Sequence, residues 1–593
     1  MCLALVILLL AACSAPAPTG DSGGSGSEAA PATAAPASEA AAAPAPAGIP
    51  EVPRNRTLIV AHLTQFLSPE MWSPYNLGGT HQQGVGLFHE PLAYADMLNG
   101  HQYPWLAESW EYNDDKTELT YHLRDGITWS DGEAFTASDV AFTLNKLRDE
   151  GGNVRMGAIY QTFVKEAVAV DDLTVTITFN APSPRFHDEV MVAKGDSATF
   201  IVPEHVWADV NWAEYTAFND GAGPVTTSPW RFAYADETRR IIDRVATCED
   251  WWACRTGFAE LPEVERFVQI FMADQQAQAT AMIRNEIDQT HDIRVDLIEQ
   301  ILAQNPDATT WTGREGPYGM ISWWPTSMYL NMTDKHLAKP EVRWAINRYV
   351  DRDKLIDFAF NGNGEKSVWP FPPFSGLQAS IDNLAELEAQ YQQGLYDPAE
   401  GDALLTEAGY TKDSEGYWAD ADGERIQCNI LSLPHFSDSG PILVEMLKQA
   451  GIETSFSQPP DIGTRLTAGD FQCGLFGHNG SMSGDIYRTL LIYTTGGVGN
   501  YSQYSNAEFD AIVEEMATAT DDEQIRALER QAMDIWLRDL PEVPLLQFYN
   551  RTGNNGHYWT NWPSTSTDPY MNGIQMHTGF PYTMLQLQAT DAP

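Results

Sequence analysis

Basic residues are scarce in this chain: 35 Lys and Arg stand against 81 Asp and Glu, a formal charge of −46 at pH 7 over 593 residues. A surface of that sign repels phosphate backbones and anionic headgroups, which excludes nucleic acid and adhesion to anionic lipid. Lysine is rarest, with 10 Lys to 25 Arg; a salt-adapted surface and a nucleotide bias both produce this balance. No apolar run reaches the ~20 residues of a spanning helix, so the body is expected to be soluble. The motifs of hydrolases and phosphate binders are missing as well. There is no Gly-x-Ser-x-Gly, no His-Glu-x-x-His and no Gly-x4-Gly-Lys, and Gly362-Asn-Gly-Glu-Lys-Ser367 has the wrong spacing for a phosphate loop. The 13 His show no ligand spacing and no Cys-x-x-Cys occurs, so neither a metal nor a cofactor is expected. The expectation is a protein that binds without catalysing.

What is present begins with an apolar run from Leu3 to Ala12, ending Leu10-Ala11-Ala12-Cys13. Ten helical residues rise only about 15 Å, half of a bilayer core, so the run reads as a secretory signal and not as a span. Small residues directly before a cysteine suit lipoprotein processing, which makes 1–12 the signal peptide and Cys13 the lipidated first residue. No Lys or Arg precedes the run. Residues 14–50 are almost entirely Ala, Pro, Ser, Gly, Thr and Glu, too polar to offset the entropy of folding. With Cys13 they form a tether over 13–50 that spans on the order of 35 Å. The remainder exceeds one core and implies several domains or lobes.

Apart from Cys2 and Cys13, four cysteines remain: Cys248, Cys254, Cys428 and Cys473. An oxidising compartment pairs them, and four cysteines permit three connectivities. The short loop between Cys248 and Cys254 favours that pair, leaving Cys428 with Cys473.

Strand and helix patterns alternate along the body. Leu119, Tyr121 and Leu123 alternate with polar residues, as do Leu173, Val175, Ile177 and Phe179. Thr136 and Asp139 form a capping-box start, after which Val140, Leu144 and Leu147 share a helical face. Residues 342–350 and 403–408 read as helices, and 510–539 as a long helical stretch broken near Asp521. The mixture predicts an α/β protein without internal repeats.

An opening block and six that follow it in order carry a family resemblance. They begin with Leu106-Ala-Glu-Ser-Trp110 and the run from Tyr121 to Val140, which contains Asp125-Gly126 and Asp131-Gly132. Gly221-Ala-Gly-Pro224, Cys248-Glu-Asp-Trp-Trp252, the segment Val342 to Arg352, Asp397-Pro398 with Leu404 to Gly409, Tyr504-Ser-Asn506 and Leu540-Pro-Glu-Val-Pro544 follow. The chain resembles the solute-binding proteins of ABC importers, family 5, whose members bind oligopeptides, dipeptides, nickel or cello-oligosaccharides. Most of these blocks read as scaffold; Arg343 and Arg352 are expected to pair with nearby carboxylates, and Trp129 and Trp252 to lie in the core.

The resemblance implies an α/β, two-lobed periplasmic-binding-protein-like fold with an extra domain and a hinge between lobes. Lobe I would comprise 51–86, 213–328 and 544–593, the extra domain 87–212, and lobe II 329–543. It implies an ABC permease and its ATPase as partners, a small oligomeric ligand and a monomer. The place implied is the outer face of the plasma membrane, periplasmic where there are two membranes, held by the lipid anchor only.

Peptide binders in the family hold the ligand's amine with an aspartate just after a Trp near a Gly-Asp-Phe segment. The corresponding segment starts at Gly469-Asp-Phe471; His478 takes the Trp position, Asn479 follows, and the aspartate position falls near Ser481, with Asp485 the nearest carboxylate. A desolvated ammonium without a counter-charge costs several kcal/mol, which disfavours zwitterionic peptides. The 18 Trp include Trp323-Trp324 and the Tyr558-Trp-Thr-Asn-Trp-Pro563 segment, which, with Trp72-Ser-Pro-Tyr-Asn76, resembles the cello-oligosaccharide binders. Trp72, Asn76, Trp323, Trp324, Trp559 and Trp562 are therefore the expected sugar-contacting set, His478, Asn479, Ser481 and Asp485 complete the expected ligand-binding residues, and an oligosaccharide is the favoured ligand over a peptide.

Overall fold

The alternation expected around residue 175 becomes the strand Thr174–Phe179, whose residues alternate between half-buried and buried. The computed structural model describes residues 48–592 apart from 64, 67, 80–84, 219–220, 478–479 and 566–576. The signal, Cys13 and the tether to residue 47 thus lie outside the described residues, as do His478 and Asn479.

Three larger sheets organise the body. The first runs in the order Thr57–His62, Arg266–Phe271, Arg239–Arg244, Trp230–Ala235. Its first pair is parallel and the others antiparallel. Every residue of Thr57–His62 is buried, because apolar layers cover both faces of this strand. The second sheet is antiparallel throughout: Ala107–Tyr112, Glu118–Leu123, Thr174–Phe179, Val164–Ala169. The helix Ala137–Glu150 lies against it, started by the expected capping box, with Val140, Leu144 and Leu147 wholly buried. One face of the first sheet and the second sheet share a single core, in which Trp129 and Trp252 are buried.

The third sheet has a separate core and the order Phe456–Ser457, Ile430–Ser432, Cys473–Gly477, Thr326–Leu330, Glu542–Leu546. Pro544 sits in its last strand, an edge position where a missing N–H costs no ladder bond. Helices Pro340–Tyr349, Pro398–Glu407, Ala507–Met516 and Asp522–Asp539 surround the sheet. The expected break falls at Asp521, whose carboxylate accepts from Gln524 N and caps the second of the last two helices. Both disulfides form as favoured, Cys248–Cys254 in a local loop and Cys428–Cys473 from the segment just before the strand Ile430–Ser432 to the first residue of its neighbour.

Two expectations are corrected here. Arg343 donates to main-chain carbonyls, not to a carboxylate: Nε reaches Asp539 O at 2.8 Å and Leu540 O at 3.2 Å, and Nη1 reaches Leu337 O at 2.7 Å. Arg352 donates to Pro544 O and to the amide oxygen of Asn347. A helix C-terminus exposes carbonyls with no intrahelical partner, and a buried guanidinium meets them with its five donors. Among the described residues no helix is long and apolar enough to cross a membrane.

Candidate functional site

Asp96 starts a tight turn that the sequence Asn99-Gly100 makes possible. Its N–H donates to His101 O and its carbonyl accepts from Gly100 N, both at 2.8 Å, while Oδ1 accepts from Leu98 N at 2.8 Å. Gly100 has φ of +74°, the left-handed region that favours glycine. The turn projects from the two-stranded hairpin of Ala93–Ala95 and Gln102–Pro104 toward the third sheet's body. There Leu98 O accepts from Gly376 N at 2.9 Å and from Ser375 Oγ at 3.0 Å.

Beside this contact lies a cavity of about 410 Å³ lined by Asp96, Leu98, Asn99, Trp311, Ile321, Pro373, Phe374, Ser375, Ser564 and Thr565. Its size falls in the range of small-molecule sites, roughly 300–1,000 Å³. The wall combines half-buried Trp311 and buried Phe374 with neutral amide and hydroxyl groups. Among the described residues that line it, Asp96 is the single ionisable group. Burial pushes the Asp96 carboxyl above its ordinary pKa, against the pull of the Leu98 and Asn99 N–H groups. Thr565 N donates to Trp311 O at 3.1 Å, tying the C-terminal wall to the indole-bearing segment.

The expected site residues scatter. Trp323 adjoins the cavity through Phe374: it also packs with Met97, Met320 and Met482, and meets the His577 ring edge-on at 4.6 Å. Trp324 turns the other way, against Phe436, Phe476 and Phe548, and lies so near Gly477 that an added Cβ would stand 2.3 Å from its ring. Trp72 is fully buried, edge-on to Phe88 at 4.9 Å and beneath the Arg240 guanidinium at 4.7 Å. Asn76 closes a local turn, bonding Ala213 O and Gly78 N at 2.8 Å each. Trp559 is fully buried, and Trp562 sends its indole N–H to Asn555 O at 3.1 Å; both belong to the core shared by the first two sheets. Indoles carry a large apolar area, and where a core is open to them burial wins over a place on the cleft wall. Ser481 is also buried, in reciprocal bonds with Thr489, and Asp485 is paired with Arg185 at 2.8 Å. Among the described residues no group of three or more His, Cys, Asp and Glu could hold a metal ion.

Residues 101–500 match the bacterial extracellular solute-binding proteins, family 5 (middle region). The chain belongs to this family. Its relatives include heme-binding protein A of Haemophilus influenzae, 26% identical over 481 residues that cover 74% of this chain and 78% of the relative. Glutathione-binding protein GsiB of Pectobacterium atrosepticum is 26% identical over 307 residues, 51% of this chain and 52% of GsiB. A periplasmic oligopeptide-binding protein of an ABC transporter from Thermotoga maritima matches 91% of this chain and 100% of its own, with TM-score 0.78 and 23% identity. The mannohexaose-bound structure of that protein gives 0.74 and 22%, with the same shares. These likenesses establish the two-lobed fold, and family 5 consists of transport-binding proteins. Sequence reasoning missed Asp96, Asn99, Trp311 and Phe374; only the Asn99-Gly100 turn and the prolines before Phe374 left a local signal.

Proposed function

We propose that this solute-binding protein is the capturing lipoprotein of an ABC importer, enclosing a small oligomeric solute between lobes and handing it to a permease driven by its ATPase. Lobe I is assembled from 51–86, 213–328 and 544–593, the extra domain from 87–212 and lobe II from 329–543. All three contribute to the cavity wall, through Trp311, Ile321, Ser564 and Thr565, through Asp96 to Asn99, and through Pro373 to Ser375. Cys13 carries the anchor, which leaves the monomeric body tethered at the outer face of the plasma membrane. The protein performs no chemistry on its cargo.

The favoured cargo is a neutral oligosaccharide. The observation that carries this is the wall itself: aromatic faces of Trp311 and Phe374 beside the neutral donors and acceptors of Asn99, Ser375, Ser564 and Thr565. Sugar rings offer C–H faces to the former and hydroxyls to the latter. Ser481 and Asp485 are spent on internal partners, which weighs against an amine clamp in that segment. A peptide is the second reading, favoured by Asp96, a carboxylate on the cavity wall to which an ammonium would bind. Calorimetry with cello- and manno-oligosaccharides and with di- to pentapeptides decides between them. Micromolar binding of sugars, weakened about tenfold by Trp311→Ala, is the expected result. Binding of free-amine peptides alone, abolished by Asp96→Asn, would overturn it.

A further inference from the structure

The extra domain touches lobe II through a set of charged contacts. Arg185 Nε donates to Asp485 Oδ2 at 2.8 Å, and its Nη2 lies 2.8 Å from the same oxygen. Its Nη1 donates to Met516 O at 2.9 Å and to Ala517 O at 3.3 Å, and the guanidinium covers the Tyr487 ring at 4.8 Å. One helical turn later Glu189 accepts from Arg488 at 3.0 Å, while Lys194 holds its other oxygen at 3.3 Å. Burial alone would raise the Glu189 pKa; the cations of Lys194 and Arg488 hold it below its ordinary value. Both pairs are largely withdrawn from water, with side chains between 13% and 21% exposed, so salt screens them less than surface pairs.

The same interface brings two backbones together at glycine. A Cβ on Gly376 would stand 3.1 Å from Asn99 C and 3.2 Å from Gly100 N, and one on Gly100 would stand 2.8 Å from Ser483 Cβ. Among the described residues, the small group around Met97, Phe374 and Met482 packs across it. An interface made of ion pairs, carbonyl contacts and glycines is polar in the manner of surfaces that part and meet again. Its turn is also the cavity wall, since Asp96, Leu98 and Asn99 line the space that a solute would fill.

We propose that Arg185–Asp485 and Glu189–Arg488 form a latch that holds the extra domain on lobe II and keeps the cleft shut over its solute. Opening breaks both pairs and the Leu98–Gly376 bond together, and each charge then returns to water. The latch therefore biases the equilibrium between open and closed forms without locking it. This inference rests on the hinged-cleft reading, but it needs no knowledge of the cargo.

The test is the rate at which a disulfide forms between positions 98 and 375, where Ser375 Oγ reaches Leu98 O at 3.0 Å, in the full chain carrying Leu98→Cys and Ser375→Cys. No solute is added, and the bridged peptide is quantified by mass spectrometry. Arg185→Ala combined with Arg488→Ala should slow bridging at least fivefold, as should Glu189→Lys alone. Adding Arg488→Glu to Glu189→Lys reverses the pair and should recover at least half of the loss, which a purely structural role would not do. Asp485→Asn, the mildest change, serves if a charge-reversed chain does not fold. Slowing of less than fivefold, absence of recovery, or no bridge in the parent overturns the latch. A latch effect in a chain that binds neither sugars nor peptides would leave it standing and remove the capture reading instead.

Discussion

Arg352 donates to the carbonyl oxygen of Pro544 through both Nε, at 2.8 Å, and Nη2, at 2.6 Å. The guanidinium is buried, and burial pushes its pKa down to about 9. It fastens the helix Arg352–Phe360 to the edge strand of the third sheet. Replacing it by methionine keeps the length but strands a buried carbonyl. Arg352→Met should lower unfolding free energy by about 2–3 kcal/mol, read as a reduced urea midpoint at unchanged slope.

Glu542 begins that same strand, wholly buried beside the hydroxyls of Ser327 and Tyr493, and its pKa is pushed up to about 7 by burial. A carboxyl that holds its proton more tightly when folded stabilises the fold at low pH. That contribution is fully present below the unfolded carboxylate pKa of about 4.3 and is lost as pH rises to about 7. Glu542→Gln should remove this dependence and exceed the parent at pH 8 by on the order of 3–4 kcal/mol. Melting curves at pH 5 and pH 8 check it; a variant whose pH profile parallels the parent's would contradict the assignment.

Trp559 is a packing residue in this structure, with no exposed surface. Trp559→Ala should cost about 3–5 kcal/mol of stability. Solute affinity of the fraction that remains folded should stay within twofold, in contrast to Trp311→Ala. Titration calorimetry below the variant's melting temperature separates the two effects.

The two disulfides should differ in worth. Cys428–Cys473 closes a separation of 45 residues and Cys248–Cys254 one of 6. Chain entropy assigns them about 4 and about 2 kcal/mol respectively. Paired replacement by alanine should therefore lower the melting temperature more at Cys428 and Cys473 than at Cys248 and Cys254.

Cys13→Ala should release the protein from the membrane, since one lipidated cysteine is the attachment proposed for the chain. Fractionation after a high-salt wash reads the result. Retention in the membrane fraction would remove the lipoprotein assignment.

Local pattern was enough for much of the scaffold. The period-two alternation at Thr174–Phe179, the capping box at Thr136 and the helix break at Asp521 each depend on a handful of neighbouring residues, so the chain itself specifies them. The ordered blocks from Leu106 to Pro544 were likewise sufficient to indicate the family. The site was not legible in this way. Composition says that tryptophans are mostly buried but not which of 18 escapes the core, and the structure leaves Trp311 on the cavity wall while enclosing Trp72, Trp559 and Trp562. Asp485 looked like a ligand carboxylate until Arg185, 300 residues away, supplied its counter-charge. A cavity assembled from four distant segments has no local period, so its walls are decided only when those segments come together in the fold.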